Sequence, residues 1–587
     1  MVGSRRGRLQ LGFAVMASAA VAASTGLQPA GAAPGRADLI LFNGRIVTVD
    51  KAFDVAQAVA VRGGRISAVG TNRRVMAQRG PETNTVDLHG REVIPGLIDS
   101  HYHQTGAAID ATRVQLIGAR SVQDVVDAIA QRVAQTPAGD WVQASSEWHE
   151  SLLAEGRLPT RQDLDPVSPD NPVYIPRGGH TATVNSLALK LAGITAQTPD
   201  PPNGHIVRDA DGEPTGVLFD AAKNLVAKLL PPDPTGADLE ALLRAQSARD
   251  LSMGITGLTN PSVTDSDIQA YQDMSAKGEL AQRVHLLHTA SSLQDVEDVL
   301  ATWHKGALGD KLSLDGFGEL TMDGGVETAY MSEPYEIVPG EQLDPDFHGT
   351  LILPPGGLPE KLQMLQAAAK AGWQVGIHAV GDATNEIVVS LYEQVNATTP
   401  ISRLRWNVMH GFLLDADQMD RMRKMNVAVT VQDHPTLLGF NMIQWWGRQR
   451  AAASYPLKQE LRKGVRIAGG TDAPVVPLNP FLSISWMVTR NTLTAGVIGP
   501  SQAITREQAL RAYTMGSAYT QFADRSVGSL EVGKQADMVI LSQDLLRVPA
   551  DEIADTTALA TFVGGRMVYS DGDRVVAKGD ASWRIRS

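Results

Sequence analysis

Between residues 95 and 474 the chain repeats one unit: a short apolar run that reads as a strand and ends in polar residues. The runs are VIPGLIDSHYH, GITGLTN, AQRVHLLHTA, FGELTMDGG, WQVGIHAVGD, RWNVMHGFL, NVAVTVQDH and VRIAGGTDAP. Helical stretches such as PEKLQMLQAAAKAG and DADQMDRMRKM separate several of them. Eight strands in an alternating α/β series predict a (β/α)8 barrel, here spanning residues 95–520. A stretch from about 107 to 241 interrupts the series after the first strand. It is too long for a loop and reads as an inserted subdomain.

The two ends of the chain share a different texture. ADLILFNGRIVTVD and AQAVAVRGGRISAVG alternate like strands, with Asn43-Gly44 and Gly63-Gly64 as tight turns. GSLEVGKQADMVILS and TTALATFVGGRMVYSDG repeat that pattern near the other end. Segments 38–94 and 521–587 are therefore expected to pair into one small β-sandwich, since chain termini often lie close together.

With 587 residues, 43% of them hydrophobic, the chain can bury more than one core. A net charge of −12 and no basic stripe argue against nucleic acid as a partner and leave a small-molecule substrate. Residues 1–32 have a basic start, an apolar middle and a small-residue end, the layout of an export signal. Arg5-Arg6 with Ser4 before and Leu9 after suggests the twin-arginine route, and Ala30-Gly31-Ala32 offers a cleavage site. The general export route stays open. The expectation is a bacterial periplasmic or secreted protein with no stable membrane association after cleavage, as a monomer or a homodimer. Cysteine is absent, so a metal would have to be held by histidine and carboxylate.

Barrels of this kind carry their chemistry at the C-terminal ends of the strands. Those ends here bear His101 and His103, then Glu319, His378, His410 and Asp472. Alternate residues of a strand share a face, so His101 and His103 are expected to project together. A single buried histidine is more often a satisfied core residue than a ligand. Four at corresponding strand ends, with two carboxylates and no sulfur, suit Zn²⁺, or Mn²⁺, Fe²⁺ or Ni²⁺.

These residues sit in stretches that resemble the amidohydrolase superfamily of barrel metallohydrolases, and within it the family 3 branch that includes N-substituted formamide deformylases. The stretches are VIPGLIDSHYH, GGHTATVNSLAL, GEPTGVL, MDGGVETAYMSEPY, HAVGD, GGTDAPVVPLNP and GSLEVGKQADMVIL. The resemblance implies His101 and His103 on a buried metal, with His378 and His410 on a second if one is present. It implies Asp472 as both metal ligand and general base, and His180 in PRGGHTATVNSLAL as a catalytic pocket histidine with Arg177 beside it. Many relatives place a carboxylated lysine four residues before the Asp-Gly matched to Asp323-Gly324. The matching position here is Glu319, while Lys311 stands four before another pair, Asp315-Gly316. TAYMSEPY follows the second pair, which favours Glu319 and leaves one or two metals open.

Trp148 and His149 in SSEWHE are candidates for an apolar pocket wall, whereas Trp445 and Trp446 read as packing. His434 in QDHP, at the end of the seventh strand, is expected at the site mouth, touching substrate or a ligand. His285 and His288 are three apart on one strand, cannot share a face, and are taken as structural. The function expected is an exported metal-dependent hydrolase of a non-peptide C–N bond, of the N-substituted amide or formamide type. A lactonase, esterase or cyclic-amide hydrolase on the same site is the first alternative, and a non-catalytic metal-dependent envelope binding protein the second.

Overall fold

The structure is a computed structural model that describes residues 35–337 and 346–572. Segment 1–32, read above as an export signal, and the end of segment 521–587 lie outside the described residues.

All eight runs form strands of one parallel sheet. They are β1 (Leu97–Asp99), β2 (Ile255–Val263), β3 (Arg283–His288), β4 (Leu312–Thr321), β5 (Gln374–Ala379), β6 (Asn407–His410), β7 (Ala428–Val431) and β8 (Ile467–Gly469). Each pairs in parallel with the next in chain order, from Asp99 opposite Leu258 to Val431 opposite Gly469. The strands are buried on both faces, which is why they read as near-continuous apolar runs.

β8 and β1 close the barrel through their ends. Ser100 N donates to Gly469 O at 3.0 Å, Asp472 N to His101 O at 2.8 Å, and His103 N to Ala473 O at 3.0 Å. The approach demands a glycine: a Cβ on Gly470 would sit 2.7 Å from His101 N. The helices between strands turn apolar stripes inward; Asp382–Thr398, for example, buries Val388, Val389, Leu391, Tyr392 and Val395.

Between β1 and β2 the inserted segment forms its own five-stranded sheet, ordered 204–208, 214–220, 181–184, 173–177 and 142–143. The helix that follows, Gly236–Ser252, buries Leu239 and Leu243 in the barrel core, so it packs with the barrel rather than with the insert. Outside the barrel, strands 92–95, 45–47 and 55–56 share a six-stranded sheet with 538–541, 558–563 and 566–570. A four-stranded sheet of the N-terminal segment faces it. Leu41, Val59 and Ile66 of the N-terminal segment join Met538, Ile540 and Phe562 of the C-terminal one in a single core cluster.

Candidate active site

The six strand-end residues converge. His378 is the fifth residue of β5, His410 the last of β6, and Glu319 lies near the end of β4. β1 stops at Asp99, so His101 and His103 project from the segment beyond it, His103 capping the helix Gln104–Asp110. They converge because that segment bends over the barrel end, where strand alternation no longer applies. His410 and Asp472 hold φ of 70° and 60°, a left-handed conformation that costs a non-glycine residue on the order of 1–3 kcal/mol. Such strain persists where surroundings over-determine it, and it clusters at active sites.

Glu319 stands at the centre. Its Oε1 lies 2.5 Å from His378 Nδ1 and 2.8 Å from His410 Nε2. Its Oε2 lies 3.4 Å from both His101 Nε2 and His103 Nε2. Asp472 Oδ1 approaches the same two nitrogens at 3.1 and 3.2 Å. Two ligand atoms on one tetrahedral metal, each bonded at about 2.0–2.2 Å, stand roughly 3.3–3.5 Å apart. The Glu319 contacts with His101 and His103 match that spacing, and those of Asp472 fall about 0.1–0.2 Å short of it. His378 and His410 instead meet Glu319 at hydrogen-bond distance.

Three sets among the described residues could hold an ion: His101, His103 and Asp472; His101, Glu319 and His410; and His410, His434 and Asp472. The chemistry of the donors fits a cation. His101 is fully buried and neither ring nitrogen has a hydrogen-bond partner, nor has Asp472 Oδ1. Orphaned buried donor and acceptor atoms are costly, and a shared cation satisfies them. Gln432 Oε1 accepts from His410 Nδ1 at 2.7 Å, leaving Nε2 with its lone pair towards Glu319. Gly324 O accepts from His378 Nε2 at 3.3 Å, which leaves Nδ1 towards the same carboxylate.

The electrostatics agree. Burial alone depresses His101, but the Asp472 and Glu319 carboxylates carry it up to about 10. Burial would raise Glu319 and Asp472, yet the neighbouring imidazoles, His101 foremost, hold both well below the ordinary carboxylate range. Burial, then His378, pushes His410 down to about 3, so it is a neutral imidazole.

Asp472 Oδ2 is held by His434 Nε2 at 2.9 Å, and His434 Nδ1 meets the Tyr455 hydroxyl at 3.0 Å. His434 thus touches a candidate ligand as well as lining the cavity. His180 Nδ1 bonds Asp220 Oδ1 at 2.8 Å, and its ring centroid is 5.1 Å from that of His378. Arg177 lies between Glu150 and Glu327, with Nε 2.9 Å from Glu150 Oε2 and Nη1 3.1 Å from Glu327 Oε1. All three come from the insert or the loop after β4. Of these, Arg177 and Glu327 border a cavity of about 210 Å³ that is also lined by Val326, Val380, Phe412, Leu437, Leu438 and Val475.

Two expectations are corrected. Trp148 does not line this cavity: it packs in the insert core and its Nε1 donates to Pro176 O at 2.8 Å. His149, the next residue, faces the cavity in its place. Lys311 stands just before β4, at the end opposite Glu319, and its Nζ donates to Leu280 O at 2.7 Å. It is out of reach of the site, which removes it as a bridging residue. His285 and His288 bond Ser313, Gln374 and Asp265 within the scaffold, and Trp445 and Trp446 are buried in the main core.

Residues 84–569 match the model of the amidohydrolase family. The chain belongs to the amidohydrolase family. It is 30% identical to the N-substituted formamide deformylase of Arthrobacter pascens over 91% of this chain and 98% of that protein. It is 33% identical to the protein LONG AFTER FAR-RED 3 of Arabidopsis thaliana over 91% of this chain and 92% of that one. Among solved structures, an uncharacterised metal-dependent hydrolase from Pyrococcus furiosus superposes with a TM-score of 0.66 at 25% identity, covering 87% of this chain and 100% of that one. This amidohydrolase is accordingly an enzyme, a metal-dependent hydrolase of the class that acts on carbon–nitrogen bonds.

The amidohydrolase's Asp220, Glu150 and Glu327 were not singled out from sequence. Asp220 had a usable signal, because GVLFD is an apolar strand ending in an acid, the same signature as the barrel strands.

Proposed function

We propose that this amidohydrolase is exported and hydrolyses the C–N bond of a small N-substituted amide or formamide, using one or two divalent ions with zinc foremost. The observation that carries the reading is Glu319, one carboxylate set between the His101–His103 pair and the His378–His410 pair. The similarity to an N-substituted formamide deformylase along nearly its whole length supports the bond type. The basic, then apolar, then small-residue order of segment 1–32 supports export.

His101, His103 and Asp472 would hold one ion, and Glu319, His378 and His410 a second. A divalent metal, when bound, supplies Lewis acidity and makes water a nucleophile at neutral pH. Asp472 takes the proton of the attacking water and passes it to the departing amine nitrogen. His434 fixes the carboxylate for that task by holding Oδ2, which leaves Oδ1 towards His101 and His103. His180, held by Asp220 through Nδ1, borders the cavity, and with both ring nitrogens protonated it would donate from Nε2 to the oxyanion that develops on the carbonyl oxygen. The aliphatic wall takes the N-substituent and excludes bulk water from the bond being broken. The products are a carboxylic acid and an amine.

The test is elemental analysis of purified wild type and Glu319→Ala, followed by an amine-release assay on formamides in the metal found. Two ions per chain falling to one or none in the variant, with amine release by wild type, is the expected result. No metal after reconstitution with zinc overturns the reading, and turnover of esters or lactones in place of amides overturns the bond assignment. Export is tested by the N-terminus of the mature protein and its retention in the cell when Arg5 and Arg6 become lysine.

A further inference from the structure

Among the described residues, the one cavity side chain of permanent positive charge is already spoken for. Arg177 is 4% exposed, and its guanidinium is engaged on both sides: Nε and Nη2 on Glu150, Nη1 on Glu327. Thr181 Oγ1 also donates to Glu327 Oε1 at 2.6 Å, anchoring that carboxylate beside the arginine. A bidentate arginine free of carboxylates is the usual anchor for a substrate carboxylate. This arginine is matched by two.

The groups around it add no positive charge to spare. Burial, with Arg177 adding to it, holds His149 well below its ordinary value, so it is neutral. Burial would raise Glu327, but Arg177 and His180 hold it below its ordinary value, so it is ionised. His180 is paired with Asp220, whose other oxygen accepts from Thr328 Oγ1 at 2.6 Å. The lining also includes the aliphatic side chains of Val326, Val380, Leu437, Leu438 and Val475, which offer an anion nothing.

We infer that the Glu150–Arg177–Glu327 cluster is a charge filter that restricts the enzyme to amides whose N-substituent is uncharged, and rejects those carrying a carboxylate. This rests on the amide reading of the site given above. A carboxylate on the N-substituent that is seated beside Glu327 meets no unpaired cationic side chain there, and loses its hydration to apolar lining. At about 6 Å and an effective dielectric near 20, one such repulsion is worth about a hundredfold in selectivity.

Three isosteric formamides separate charge from shape and polarity: N-(3-methylbutyl)formamide, N-formyl-β-alaninamide and N-formyl-β-alanine. With the metal-loaded full chain, kcat/KM for the carboxylate is expected about a hundredfold below that for its carboxamide. Glu327→Gln keeps an acceptor for Arg177 and removes one negative charge, and should narrow that ratio at least tenfold. Glu150→Gln tests the other arm and serves if the first variant does not fold. Because the readout is a ratio within one protein, a general loss of activity does not imitate it. Equal turnover of carboxylate and carboxamide by wild type overturns the filter, as does an unchanged ratio in both folded variants. If wild type turns over none of the three, the formamide reading falls. Calorimetric binding in the order carboxamide over carboxylate then keeps the filter, and equal binding or none overturns it as well.

Discussion

Asp99, the last residue of β1, holds Thr471 beyond the end of β8. Its Oδ2 accepts from Thr471 Oγ1 at 2.7 Å, and its Oδ1 from Thr471 N at 3.0 Å and from His101 N at 3.1 Å. This clip stands where, among the described residues, the first and last strands meet without a ladder of paired residues. It also sits one step from the site on each side, because Thr471 precedes Asp472 and Asp99 is two before His101. The 3.1 Å approach of His101 to Asp472 is thus set by a buried carboxylate that holds backbone and the Thr471 hydroxyl and touches neither of the two side chains.

Replacing that carboxylate strands three buried donors, each at a cost of about 1–3 kcal/mol. Asp99→Ala should therefore lose about 3 kcal/mol or more of stability in denaturant titrations and bind less metal by elemental analysis. A variant as stable and as metal-rich as wild type would show that the clip does not set the ligand spacing.

Tyr455 acts on Asp472 through His434. The hydroxyl meets Nδ1 at 3.0 Å and Nε2 meets Asp472 Oδ2 at 2.9 Å, all within a shell where Tyr455 is fully buried. Partners of ligand residues commonly control activity or metal affinity by about 10–100-fold. Tyr455→Phe removes one hydroxyl and keeps the ring. It should lower kcat about tenfold while metal content and KM stay near wild type, because the residue touches neither ion nor substrate. A drop in metal content with no change in kcat per bound metal would assign the chain of contacts to affinity alone.

The barrel was legible because each strand is a closed unit: an apolar run, a polar terminus, then a helix. The order of His101, His103, Glu319, His378, His410 and Asp472 could be read without knowing any pairing, since a barrel brings successive strand ends together. The insert gave no such rule. His180 finds Asp220 across 40 residues and Arg177 finds Glu327 across 150, and both meetings depend on how the 173–184 hairpin sits over the barrel mouth. Local periodicity carries nothing about that placement. Trp148 and His149 show the limit at the smallest scale, because adjacent residues on extended backbone face opposite ways and only one can line the cavity.

That last point has a direct check. Trp148 contributes packing and one hydrogen bond to Pro176 O in the insert. Trp148→Phe should cost about 1–2 kcal/mol of stability and leave KM within about twofold. His149→Ala, which opens the cavity wall, should raise KM several-fold with a small change in stability. Steady-state kinetics and thermal unfolding of the two variants read both effects. The reverse pattern would return Trp148 to the pocket.

Glu92 gives the fold a pH dependence that is separate from the chemistry. It is 1% exposed at the start of strand Glu92–Pro95, beside Asp544, which Arg45 already pairs at 2.8 Å. Burial first, then Asp544, raises its carboxyl to about 9, so it is protonated in the folded protein at neutral pH. In the unfolded chain it titrates near an ordinary value of about 4.3. A folded value raised above the unfolded one means stability that is fully present below about pH 4.3 and is lost as pH rises towards about 9. The slope between them reaches about 1.4 kcal/mol per pH unit for the single proton. Glu92→Gln fixes the neutral form and removes this contribution. The gain in unfolding midpoint of the variant over wild type should therefore be small near pH 5 and grow steadily to about pH 9. A gap that stays constant across that window would mean Glu92 is ionised in the fold, with Arg45 rather than a bound proton offsetting its burial.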